Sequence, residues 1–108
     1  MKYHIQLTEQ AEEDLRSIYE YIAKILLVPD VALGQIERIE NGILNLEEMP
    51  ERFRLYEKEP WCSCGLHQMP VDNFIVFYIV EKDKKIVTVI RIMYGGMDID
   101  EHLKKTDV

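Results

Sequence analysis

Cys62, Cys64 and His67 are the nearest approach to a metal-ligand group in the chain, and Arg91 is a lone charge inside an apolar run. Thiolates and imidazoles bind zinc, but the Cys-x-Cys-x-x-His spacing matches no common zinc pattern and no fourth ligand is apparent. Neither a metal nor any other cofactor is expected. The i, i+2 spacing of the cysteines would strain a mutual bridge, so both read as free thiols, as is usual in a reducing cytoplasm. Arg91 reads either as a side chain snorkelling to water or as a functional cation. The first is favoured, because a long side chain reaches water easily from a strand.

The elements that must position these residues follow from periodicity. Phe74–Val80 is apolar throughout, which predicts a central strand covered on both faces. The charged turn Glu81–Lys85 and the run Ile86–Tyr94 complete an antiparallel hairpin. Gly95-Gly96 then permits a sharp turn. Asp98 reads as an N-cap with Glu101 as its reciprocal acid, starting a short last helix whose apolar edge is Ile99 and Leu103.

Upstream, Tyr3, Ile5 and Leu7 alternate with His4 and Gln6, predicting a half-buried strand with one wet side. Thr8 is a credible N-cap, and acids fill the first turn after it. Ala11, Leu15, Ile18, Ile22 and Ile25 form one helical stripe, and Ala32, Ile36, Ile39, Ile43 and Leu46 another. Pro29 separates them, Gly42 is a weak point in the second, and Met49-Pro50 closes it. Glu51–Trp61 reads as a surface loop, with Trp61 either folded back or an exposed anchor. Leu66–Val71 is a weak strand whose Pro70 predicts fraying or a bulge. The sum is β-α-α-β-β-β with a short C-terminal helix: an α+β fold, a small mainly antiparallel sheet on a helical hairpin. The sheet face away from that hairpin is expected to be open, carrying His4 and Gln6, and to meet partner or substrate.

The chain has 108 residues, with 20 acidic and 13 basic side chains and a formal net charge of −7. That length suits a single domain over 1–108. The acidic balance argues against free nucleic-acid binding, which needs clustered cations. One region departs from it: Lys82, Lys84, Lys85 and Arg91 outnumber Glu81 and Asp83. The first residues hold no apolar signal core, and no run approaches the roughly 20 apolar residues of a membrane span. A cytoplasmic location without membrane contact is expected.

Several phrases resemble the RelE/ParE superfamily of toxins from type II toxin–antitoxin modules. They are Tyr3–Leu15, Ile18–Ile22, Met49-Pro50-Glu51-Arg52, Asn73–Tyr78 and Ile90–Ile99. Each is weak alone; their number, order and spacing carry the resemblance over nearly the whole chain, nearest the ParE-like or plasmid-stabilisation branch. The resemblance implies a cognate antitoxin encoded beside the toxin. It also implies one of two targets, the ribosome and its mRNA for RelE-type toxins or DNA gyrase for ParE-type ones.

Metal-free RNA cleavage needs a general base, an acid and cations for the phosphorane. Positions where RelE-type toxins carry basic residues are here Ile75, Gly96-Met97 and His67-Gln68. The catalytic candidates left are His67, Arg91, Tyr94 and His102, with Arg91 on phosphate and a histidine as base. A single arginine is thin support for that chemistry. The expectation is therefore a toxin that arrests growth by binding a macromolecule, gyrase foremost, through Arg91, Tyr94, Gly95, Gly96, Met97 and Asp98. The alternatives are a ribosome-dependent mRNA endoribonuclease and an inactive homologue that only binds antitoxin. The antitoxin is expected to cover the helical hairpin, at Ile18, Ile22, Ile36 and Ile39, and the open edge, held mainly by apolar contacts rather than acid-to-base pairing.

Overall fold

The computed structural model describes residues 2–96 and 98–106. Strand β1 (His4–Leu7) leads into helix α1 (Glu9–Glu20), a π-helical turn (Tyr21–Ile25) and helix α2 (Pro29–Leu44). Strands β2 (Leu66–Val71), β3 (Phe74–Glu81) and β4 (Ile86–Tyr94) and helix α3 (Ile99–Lys104) follow. The four-stranded sheet has the order β1-β4-β3-β2. β1 runs parallel to β4, and the other pairs are antiparallel.

The predicted stripes of the helical hairpin do form a core with one sheet face. Ala11, Ile39, Ile43 and Leu46 pack with Met69, Val76, Tyr78, Val87, Val89 and Ile92, all buried. Gly42 lets α2 come close to β2: a Cβ there would meet Val71 Cγ2 at 3.2 Å and Met69 Cε at 3.4 Å. Pro70 is neither frayed nor bulged; it pairs with Ile75 in register. β2 is the sheet's edge strand, where a missing N–H can face away from the ladder.

The irregularity lies one pair over, between Phe77 and Tyr78, which oppose Arg91 and Val89 and leave Ile90 as the extra residue. This bulge changes the alternation of β4. Val87, Val89 and Ile92 face the helical hairpin, while Ile90 and Met93 face the other side.

That other side is largely covered over β2, β3 and β4 and stays open only at β1, which corrects the sequence reading in part. Leu66, Phe77, Ile90, Met93 and Leu103 are buried there, beneath Tyr56, Trp61 and Ile99. The segment read as a surface loop and α3 together roof it. Asp100 accepts from Tyr56 Oη and Lys58 Nζ, joining loop to helix. Lys58 and then Tyr56 hold the Asp100 carboxyl below its ordinary range. Burial, followed by the Asp100 hydrogen bond, pushes Tyr56 up to about 12. An all-apolar β3 required a cover on both faces, and this is the second one. His4 and Gln6 are exposed as expected, with Gln6 Nε2 donating to Thr88 Oγ1 at 2.9 Å.

Candidate functional site

β4 outruns β1, whose register ends at Leu7 opposite Val89. The start of α1 serves the uncovered stretch. Thr8 N–H donates to the Val89 carbonyl at 3.0 Å and Thr8 Oγ1 to the Ile90 carbonyl at 2.8 Å. Asp14 Oδ2 accepts the Ile92 N–H at 2.9 Å.

The same carboxylate takes Arg91. Its Nε lies 2.7 Å from Asp14 Oδ2 and its Nη2 3.0 Å from Oδ1, a bidentate pair. Nη1 donates to Thr106 Oγ1 at 3.1 Å. Both side chains of the pair are about 85% enclosed, being only 14% and 15% exposed. Arg91 therefore does not snorkel to water; its guanidinium is held inside the chain. It ties α1 to the chain beyond α3 around the sheet edge.

The other catalytic candidates are dispersed. His67 is buried on β2, its ring stacked on Tyr78 with centroids 5.1 Å apart, and its Nδ1 lies 2.7 Å from the Phe53 carbonyl. Tyr78 in turn donates to the Pro50 carbonyl at 2.6 Å, and burial pushes its hydroxyl up to about 12. β3 separates His67 from β4. His102 sits on α3 with Nδ1 2.9 Å from the Asp98 carbonyl. Tyr94 is exposed at the end of β4, edge-on to Phe74 at 5.9 Å. The lysines of the basic region have partners at the surface: Lys82 pairs with Glu51, Lys84 with Glu81, and Lys85 lies over the Tyr3 ring.

Of the expected target-binding residues, Tyr94, Gly95 and Gly96 form one exposed tip, fixed by Gly95 N–H donating to the Asn73 carbonyl at 2.8 Å. Asp98 caps α3 through the Glu101 N–H, and Met97 lies outside the described residues. Arg91 is not part of that surface. Among the described residues, no group of three or more His, Cys, Asp or Glu is placed to hold a metal.

A pair of cations escaped the sequence reading. Arg52 and Arg54 line a groove of about 440 Å³ with Phe53, Gln68, Pro70 and Ile75. Their i, i+2 spacing in a charged loop was the available signal. Arg52 is partly committed: its Nη1 donates to the Glu48 carbonyl at 2.8 Å.

The residues expected to meet the antitoxin are enclosed to differing degrees. Ile39 is 0% and Ile22 9% exposed, so packing within the chain uses their side chains; Ile18 and Ile36 are half-buried. Exposed apolar side chains of the hairpin gather at its tip, at Tyr21, Ile25, Leu26, Leu27, Val28 and Val31, with Leu33 and Leu44 further along α2 also exposed. Leu27 is 77% exposed and has φ of 59°, a left-handed backbone that favours glycine.

Comparison with known proteins fits this architecture. Residues 5–99 match the family model described as the ParE toxin of the type II toxin–antitoxin system parDE. The chain belongs to the ParE toxin family. Among solved structures, this ParE-family chain is similar to the chromosomal ParDE toxin–antitoxin system from P. aeruginosa. That match has 21% identity and a TM-score of 0.70, over 86% of this chain and 96% of that one. It is also similar to a mutant of the E. coli toxin RelE in the free state (16% identity, TM-score 0.65, 97% and 98% covered). A third is the archaeal RelE–RelB complex from Pyrococcus horikoshii (18%, 0.60, 89% and 98%). These likenesses show the shared RelE/ParE fold. No curated protein matches the chain. Among its described residues, no helix is long and apolar enough to cross a membrane.

Proposed function

We propose that this ParE-family chain arrests growth by binding a protein target, DNA gyrase foremost, and that a cognate antitoxin neutralises it. The observation that carries the reading is the Asp14–Arg91 pair. The lone arginine of the candidate catalytic set already has a bidentate partner, so it is not free to stabilise a phosphorane. His67 is likewise enclosed, with Nδ1 on a backbone carbonyl. The target surface is the exposed Tyr94-Gly95-Gly96 tip. The antitoxin covers the apolar end of the helical hairpin, since a patch of that kind, with a strained Leu27 at its centre, marks an interaction site.

Expression of the chain and its variants in a host cell tests this. Growth arrest is expected for the wild type and for His67→Gln, and is expected to disappear in Tyr94→Asp with the fold intact by circular dichroism. Arrest that persists in folded Tyr94→Asp would remove the tip from the reading.

One observation favours a second reading, a ribosome-dependent endoribonuclease. Arg52 and Arg54 share one groove and are exposed enough to meet a phosphate, although Arg52 also donates to the Glu48 carbonyl and Arg54 pairs with Glu57 at 3.8 Å. mRNA cuts that vanish in the Arg52→Ala, Arg54→Ala double variant would select it.

A further inference from the structure

Helix α2 meets β2 on the face that carries Gln35, Arg38 and Gly42, spaced three and four apart. Just beyond Val71, the β2–β3 hairpin turns through Asp72 and Asn73, with Val71 opposite Phe74. Asp72 has φ of 54°, a left-handed backbone that a short polar side chain tolerates. Both polar side chains of α2 reach this turn. Arg38 Nε donates to Asp72 Oδ2 at 2.6 Å, and Gln35 Nε2 donates to the same oxygen at 3.1 Å. Gln35 is buried, and its Oε1 accepts from Arg38 Nη2 at 3.4 Å. Arg38, and then Gln35, hold the Asp72 carboxyl below the usual carboxylate range.

The same turn holds the exposed end of β4. The Asn73 carbonyl accepts the Gly95 N–H at 2.8 Å, and a Cβ on Gly95 would lie 3.3 Å from that oxygen. Phe74, next in the chain, opposes Tyr94 in register and meets its ring edge-on. A Cβ on Gly96 would come within 2.5 Å of Tyr94 Cε2, so a glycine there lets the ring lie where it does. The α2 face, the Asp72-Asn73 turn and the tip are thus one continuous set of contacts. The Arg38 and Asp72 side chains are 54% and 43% exposed, and an ion pair so exposed adds little to global stability.

We infer that Gln35 and Arg38 are positioning residues for the Tyr94-Gly95-Gly96 tip. Through Asp72 they hold the turn in place, the Asn73 carbonyl holds Gly95, and Tyr94 is presented in one orientation before any target arrives. A surface ordered in advance binds more tightly, because less freedom is lost on binding. That the tip meets the target rests on the function proposed above; the linkage from α2 to Gly95 does not.

The test follows the full chain by NMR amide exchange, urea unfolding and inhibition of gyrase supercoiling. Two variants break the link: Arg38→Ala, and Asp72→Gly, which keeps a left-handed turn while removing both bonds. In each, the Gly95 amide is expected to exchange about fivefold faster than in wild type. The amides of buried Val76 and Val89 should keep their rates, and the urea midpoint should move little. Inhibition is expected to weaken about threefold or more. Arg38→Lys, which keeps a cation near Asp72, should recover part of both effects. Unchanged Gly95 exchange in both variants overturns the linkage. Acceleration shared equally by Gly95 and the core amides also overturns it, because the cluster would then serve only global stability. Faster Gly95 exchange with undiminished inhibition overturns the positioning role toward the target. A wild-type chain that leaves gyrase untouched overturns the proposed target, and Gly95 exchange then still decides whether α2 holds the tip.

Discussion

Asp14 does two jobs with one carboxylate: it accepts the Ile92 N–H and pairs with both faces of the Arg91 fork. Asp14→Ala would leave an enclosed guanidinium and a strand N–H without a partner. It is expected to destabilise the chain by about 3 kcal/mol, measured by urea unfolding, because half of an enclosed pair is worse than none. A change below about 1 kcal/mol would mean the pair behaves as an exposed one. The tyrosines make a second residue-level prediction. Tyr56 and Tyr78 both rise from 10.0 to about 12, the neutral form being favoured in the folded chain. Their contribution is fully present below pH 10 and is lost as pH rises toward 12, so stability should fall across that window. Tyr78→Phe should flatten the fall; an unchanged slope would contradict the assignment to Tyr78. None of this pairing was legible beforehand. Arg91 was visible as a lone charge, but Asp14 is far away in sequence, and only the shortness of β1 brings the helix start against β4.

At the scale of elements, periodicity was a good guide wherever one face of a helix or strand met one core. The stripes of α1 and α2 and the β3–β4 hairpin formed largely where the spacing of Ala11, Ile39, Ile43 and Val76 put them. The far-face cover was missed because Tyr56 and Trp61 sit in a charged, irregular stretch without periodicity, and the burden falls on scattered side chains. The hairpin tip was missed for a related reason. A stripe reports which side of a helix is buried and says nothing of where its end protrudes, so Ile22 falls in the stripe while the exposure of Leu27 has no periodic signal. Leu27→Gly relieves the left-handed strain and removes an exposed side chain. It should leave free-chain stability within about 1 kcal/mol of wild type, since glycine tolerates that backbone. It should also weaken the antitoxin complex, read by isothermal titration; unchanged affinity would place the antitoxin away from the tip.

The whole molecule joins a family-typical frame to an acidic surface. The fold resembles that of RelE as well as ParE structures, so the frame alone does not select a target. The proposal leans on charge and pairing: the net charge is −7, Arg91 is taken by Asp14, Lys82 and Lys84 have surface acids as partners, and Lys85 lies over the Tyr3 ring. The proposed protein target, met by Tyr94 and the glycines after it, rests on that balance, because gripping polyanionic RNA calls for clustered free cations. The most direct test is a supercoiling assay with purified DNA gyrase, relaxed plasmid and the purified chain. Loss of supercoiling in proportion to added chain, relieved by Tyr94→Asp, is the predicted result; full supercoiling at saturating amounts of a chain that still arrests growth in cells would contradict it.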